Sequence, residues 1–423
     1  MASLITKAVV LASAATLLTL TACSSDSESS DSASANTDGR GPITYVEGKD
    51  TTETGVVRQI IDEWNTANPD QEVTFKEQSN DADQAHDDLV QHLQAEQSDY
   101  DVMALDVIWT AEFAAKGWLV PLQGEFALDN AGILPSTVAS ATYNNVQYAA
   151  PKNTNGGLLF YRSDLVPAAP TTWDELNASC TVAVENNIDC YAGQFASYEG
   201  LTANASEIIN AHGGSFVAAD GKTPTVNTPE AKAGLQSLVT AFETNVIPAQ
   251  DTTFKEPESQ QAFEDGKALY LRNWPYVYGT AAKEGSAVAG KYSVAPLPGV
   301  TGVGTSTLGG YNAAISAYSK NKATAADFLR FLQGEKAQRI IAEGALPPVL
   351  SSLYDDPALI AEMPYLPALK ASIENAVPRP VTPFYPAVSK AIQDNTFAAI
   401  KGEKTVDQAI EDIQAGIESA GAN

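Results

Sequence analysis

The sequence predicts an α/β fold in two domains, on three observations. The chain has 423 residues, more than one ordinary core holds and suited to two domains of roughly 150 to 200 residues each. Strand-like and helix-like segments alternate from Ile43 onward, as α/β proteins require. Strand-like runs also return late, after a helix-rich middle, at YSVAPLPG (292–299) and LGGYNAAIS (308–316).

In order, ITYVEG reads as a strand, and TGVVRQIIDEWNTANPD as a helix whose Val56, Val57, Ile60, Ile61 and Trp64 repeat at helical spacing until Asn68-Pro69 stops it. EVTFKEQ is strand-like, 83–97 helical, and YDVMALDVIW a nearly continuous apolar strand with Asp101 and Asp106 set into it. The helix AEFAAKGW follows, with Trp109 and Trp118 read as core. GGLLFYR is a strand, and TTWDEL opens a helix with Thr172 and Glu175 as a capping box. Trp173, just after that cap, reads as a staple. Residues 206–242 are helix-rich; QQAFEDGKA is a helix and ALYLRNW a strand. ATAADFLRFLQGEKAQRIIAE gives one apolar helix face through Ala326, Phe328, Leu329, Phe331 and Leu332, and the remainder is helical apart from the Pro-rich NAVPRPVTPFYPAVS.

Acidic side chains number 52 against 25 basic ones, a formal net charge of -27. Such a field repels phosphate backbones and anionic bilayers, which argues against nucleic acid as a partner and reads as a solubilising surface for work outside the cytoplasm. Lys7, the apolar or small run Ala8 to Leu20, and LTAC (Leu20 to Cys23) together have the build of an export signal, too short to span a bilayer. LTAC resembles the lipobox of bacterial lipoproteins, which implies a signal peptide of residues 1–22 and lipid on Cys23; a plain secretory signal with a chance cysteine is the alternative. Residues 23–41 have almost nothing to bury and read as a disordered tether. Cys180 and Cys190 then remain as an even pair in an exported chain, expected as a disulfide. Metal is the rival, yet His86, His92 and His212 are scattered and none has a cysteine at ligand spacing.

No GxSxG, GxxxxGK[ST] or HExxH pattern occurs. GVTGVGTSTLGG lacks the strand-to-helix context of a dinucleotide loop and reads as a flexible turn. NDADQAHDD lacks the glycine and closing glutamate of a calcium loop and suits helix capping. Counting acids leaves a glycosidase open.

YDVMALDVIWTAEFAAKGWLVPL, NTNGGLLFYRSDL, TTWDEL, LRNWPYVY, YSVAPLPG, LGGYNAAIS and AADFLRFLQGEKAQ resemble, in this order, the extracellular solute-binding proteins of carbohydrate ABC transporters, family 1. DVIWTAEFAAKGW and NWPYV are most similar to the trehalose and maltose branch. The likeness runs from about Pro42 to the end. It implies the two-lobe fold of periplasmic binding proteins, with a hinge and a ligand cleft between lobes, here 42–150 with 291–333 and 151–290 with 334–423. It also implies a monomer without cofactors that hands a sugar to permease subunits.

By position, the resemblance places Asp106 at a strand end where the family accepts sugar hydroxyls. Glu53 and Asp81 stand as further acidic contacts, and Asn155 stands where some relatives carry aspartate. Glu256, Trp274, Tyr276, Gly309, Gly310, Tyr311 and Arg379 complete the set. A surface salt bridge is the plain alternative for Arg379, and a core plug for Trp274. The physical logic stands without the family, because a sugar offers C–H faces to an aromatic plane and a rim of hydroxyls to charged acceptors, each charge-assisted bond contributing roughly 1.5 to 3 kcal/mol. The expected function is a lipid-anchored, extracytoplasmic binding protein that does no covalent chemistry, with trehalose first and maltose-type glucosides second. Another sugar or polyol, or a surface hydrolase, are the rivals.

Overall fold

The computed structural model describes residues 39–422 apart from 51, 53, 219 and 345; the expected signal segment, Cys23 and Glu53 lie outside the described residues. The strands are β1 Ile43–Gly48, β2 Val73–Gln78, β3 Val102–Asp106, β4 Thr142–Tyr143, β5 Val146–Gln147, β6 Ala149–Gly156, β7 Leu158–Tyr161, β8 Asp189–Ala192, β9 Ala268–Asn273, β10 Ser293–Pro296, β11 Ser306–Ile315 and β12 Ala376–Pro378. One sheet runs β12-β11-β3-β1-β2, with β6 also paired to β11; a second runs β10-β7-β9-β8, and β4 and β5 form a small hairpin. β1 is parallel to β2 and β3, while β11 lies antiparallel to β3 and β6.

The apolar run in β3 follows from cover on both faces of its sheet. Val102 and Ala104 join a core with Val56, Ile60, Trp64, Phe328 and Leu329. Met103 and Leu105 point the other way, to Leu89, Trp109, Phe113 and Trp118. The helix Val56–Ala67 buries the five residues its spacing marks. Gly55 at its N-terminus has φ 69, with no side-chain cap of its own; Asp50 Oδ2 instead accepts the Val57 N–H at 2.8 Å. Thr172 caps Trp173–Asn186 by accepting the Glu175 N–H at 3.2 Å, but Glu175 reaches back to the N–H of Thr171 at 2.8 Å instead of the cap residue's own. Cys180 on that helix is bonded to Cys190 on β8, closing the expected loop.

β4, β5, β6 and β8 are strands that the sequence reading does not mark, and three further elements depart from it. YSVAPLPG does not return to the first sheet: β10 pairs with β7 in the second, and only β11 returns. The helix Glu335–Glu343 restarts after Gly334 and sends Ala337 and Ile341 into the first sheet's core, although residues from 334 on are expected with the second lobe. The Pro-rich stretch carries β12, a three-residue strand at the sheet edge, the position where a proline is tolerated in a sheet.

The chain passes from β6 in the first sheet to β7 in the second with Gly157 alone between them, and returns between β10 and β11. These crossings lie next to the candidate site.

Beside β8, the 1 % exposed Asp251 accepts the Gly193 N–H at 3.0 Å. Burial pushes its carboxyl up to about 8, opposed by that N–H and helped by the neighbouring Asp189. A folded-state value above the ordinary 3.8 means that Asp251's favourable contribution is full in acid and is lost as pH rises through about 8. Asp251→Asn keeps an acceptor for Gly193 and is expected to remove this decline, raising stability near pH 8 to 9 by about 2 to 5 kcal/mol. Denaturant unfolding across pH checks it; parallel pH profiles for both proteins contradict it.

Candidate functional site

Asp106 ends β3, and Tyr311 stands opposite it in β11. On the other side of β11, Gly309 pairs with Asn155 and Gly310 with Thr154 of β6. A Cβ on Gly310, whose φ is 109, would sit 2.3 Å from the Asn153 carbonyl oxygen, so glycine is required there. A Cβ on Gly309 would lie 3.2 Å from the Trp274 ring and from Asn155 Cβ. Its absence lets the indole lie against the strand.

Trp274 follows β9. It is half-buried and belongs to none of the apolar clusters among the described residues. Its Nε1–H donates to Glu256 Oε1 at 3.4 Å, and the Tyr198 hydroxyl donates to Glu256 Oε2 at 2.6 Å. Both of these donors to the Glu256 carboxylate, the Trp274 indole N–H and the Tyr198 hydroxyl, are neutral. One face of the indole is covered by the Arg272 guanidinium, 4.1 Å from the ring centroid. Tyr276 packs against the second sheet's core, where burial, then Glu256, pushes its hydroxyl pKa up.

Arg379 is 5 % exposed, so the surface-pair alternative does not hold. Its Nη2 donates to Asp106 Oδ1 at 3.0 Å and its Nη1 to Glu199 Oε1 at 2.7 Å. Glu199 also accepts from Tyr385 and, at 2.6 Å, from Ser389. Burial alone would lower the Arg379 pKa; Asp106, Tyr385 and Glu199 outweigh it and hold the guanidinium charged. Burial raises the Glu199 carboxyl against the pull of Arg379. The Tyr311 phenol is pushed up by burial, then by Asp106, Glu47 and Glu256.

Sequence reasoning missed Glu47, which accepts the Tyr45 hydroxyl at 2.7 Å and a bond from the buried Lys152 ammonium. It also missed Tyr198, Glu199, Tyr385 and Ser389. Spacing marks none of these, since their roles arise from elements far apart in the chain. Arg272 sits in the same phrase as Trp274, and a guanidinium two residues before an indole was the available signal. Asp81 caps the helix Ala82–Gln94 by accepting the Gln84 N–H at 3.1 Å, and pairs with Lys255 at 3.1 Å. The structure therefore places it at the edge of the site, already partnered. Among the described residues no group of three or more His, Cys, Asp or Glu side chains could hold a metal ion.

Among the described residues, and apart from the Asp81–Lys255 pair at the edge of the site, five carboxylates, Glu47, Asp106, Glu199, Glu207 and Glu256, stand against three cations, Lys152, Arg272 and Arg379. The excess of acceptors suits hydroxyl donors and opposes an anion.

Residues 48–339 match the family described as bacterial extracellular solute-binding protein. A probable ABC transporter-binding protein of Deinococcus radiodurans is 34% identical over 341 residues, 77% of this chain and 80% of that one. The maltose-bound MalE3 of T. maritima superposes with a TM-score of 0.82 at 32% identity, covering 89% of this chain and 99% of that one. A solute-binding protein of Thermotoga lettingae bound to alpha-D-tagatose gives 0.79 at 24% identity over 90% and 100%, a likeness of fold alone. With its two sheets, its chain crossings beside the site and these matches, the chain belongs to the bacterial extracellular solute-binding proteins, with the two-lobe fold and extracytoplasmic setting of that family.

Proposed function

We propose that this protein binds a disaccharide of glucose, trehalose or maltose, between its lobes and delivers it unchanged to the permease of an ABC importer. The observation that carries this is the half-buried Trp274 plane with Glu256 on its rim, gathered by Gly309 beside Asn155, Tyr311 and Asp106. In this reading the indole takes a sugar C–H face, and Asp106, Glu256 and Asn155 take rim hydroxyls. Arg379 holds Asp106 in place, and Tyr276 supports the loop. The maltose in the T. maritima relative supports a glucoside as ligand. The test is a thermal-shift panel of disaccharides, monosaccharides and polyols. A ligand at 100 times its dissociation constant adds about 2.7 kcal/mol; a shift by trehalose or maltose is expected, and a shift by polyols alone would replace this reading.

We also propose that the lobes are 42–150 with 291–333 and 151–290 with 334–423, less β10 and the helix Glu335–Glu343, that the protein acts as a monomer, and that Cys23 carries lipid. Cys23→Ala is expected to move the protein from the membrane fraction to the soluble one on fractionation. Retention in the membrane would end the lipobox reading.

A further inference from the structure

Behind the Trp274 plane lies an ion pair that the sugar-binding reading does not use. Arg272 is 1 % and Glu207 5 % exposed. Arg272 Nε donates to Glu207 Oε2 at 2.9 Å, its Nη2 donates to Glu207 Oε1, and its Nη1 donates to Gln194 Oε1 at 3.0 Å. The same guanidinium covers one face of the Trp274 ring at 4.1 Å. Glu207 belongs to the helix Glu199–Ala211, and its Oε1 also accepts the Thr307 backbone N–H at 3.1 Å. Thr307 is the second residue of β11, where the chain re-enters the first sheet.

The outgoing crossing meets this pair as well. A Cβ on Gly157 would lie 2.7 Å from Glu207 Oε1 and 3.0 Å from Arg272 Nη2, so the backbone there closes directly onto the two charges. The Gly157 N–H donates to Ser306 Oγ at 2.7 Å, and its carbonyl accepts from Ser372 Oγ at 2.8 Å. Both crossings between β6 and β7 and between β10 and β11 therefore touch one buried pair, and the other side of that pair is the indole.

We propose that Arg272 is a positioning residue that couples the Trp274 plane to the interlobe crossings through Glu207. It rests on reading Trp274 as the sugar platform. A guanidinium is planar, stacks on an aromatic face and holds a carboxylate with two parallel N–H groups. Arg272 does both at once, so the orientation of the indole and the positions of Gly157 and Thr307 are set together. The indole, held in place before a sugar arrives, braces the crossings through this pair, and loss of the indole loosens them.

Two measurements test this. In sugar-free Trp274→Ala, amide hydrogen exchange at Gly157 and Thr307 is expected to quicken by about fivefold or more, while Val46 in the middle of the first sheet is unchanged. Unchanged exchange at both crossings would overturn the coupling. Arg272→Lys keeps a cation for Glu207 but loses the plane that stacks. It is expected to weaken calorimetric binding of maltose or trehalose by about tenfold beside Trp274 and by less than about twofold in the Trp274→Ala background; equal losses in both backgrounds would overturn it too. If Trp274→Ala leaves sugar affinity intact, the platform reading fails on its own, and the exchange measurement still decides the coupling.

Discussion

Trp274→Ala is expected to weaken disaccharide binding by about 2 to 4 kcal/mol, roughly 30-fold to nearly 1000-fold. Pro275 fixes its own φ and biases Trp274 toward extended backbone, Asn273 Oδ1 accepts the Trp274 N–H at 2.7 Å, and Arg272 covers one ring face. The ring is thus held before a sugar arrives, and little ordering entropy is lost on binding. Packing sugar C–H groups on the free surface removes apolar area from water at about 25 cal/mol per Å². Because Trp274 lies outside the apolar clusters, sugar-free stability should fall by less than about 2 kcal/mol, the scale of one lost guanidinium–indole contact. Trp274→Phe should keep part of the affinity. Titration beside sugar-free unfolding checks both. A stability loss of about 3 to 5 kcal/mol with unchanged affinity would make Trp274 a core residue.

Arg379→Met carries the largest expected cost to stability. Its guanidinium joins Asp106 on the first sheet to Glu199 on the helix Glu199–Ala211 while itself 5 % exposed. Methionine fills much of the stem volume but leaves two carboxylates facing each other without their shared cation. Removing one partner of a buried pair costs about 3 to 5 kcal/mol, because the remaining charge stays desolvated. Tyr385 and Ser389 still donate to Glu199, which places the expectation near the lower end. Denaturant unfolding reads it; a loss below about 1 kcal/mol would show that the carboxylates relax to water and that Arg379 does not hold them.

β1, β2, β3 and β11 of the first sheet were legible because its burial is two-sided and its helices amphipathic, whereas β6 was not read as a strand. VMALD has the apolar run of a strand covered on both faces, and Val56 to Trp64 has the spacing of a single buried helix stripe. β10 and β12 were not legible in the same way. A four-residue strand carries no mark of which sheet it joins, and β12 is a proline-bearing edge strand that local pattern reads as coil. The site divides along the same line. Asp106 and Trp274 lie in continuous phrases at strand ends and Gly309, Gly310 and Tyr311 in the middle of the β11 phrase, so local sequence carries them. Glu199, Tyr385 and Ser389 matter only because two distant helices converge on Arg379, and no local pattern records that convergence. Asp81 shows the converse: an acid at a plausible place in the chain is engaged by its own helix and by Lys255.

The most direct measurement of the central claim is calorimetric titration of the mature protein with trehalose and with maltose, followed by analysis of the recovered sugar. Saturable binding of at least one of the two at one site per chain is expected, with the disaccharide recovered intact. Absence of binding by both, or glucose released with time, would contradict it.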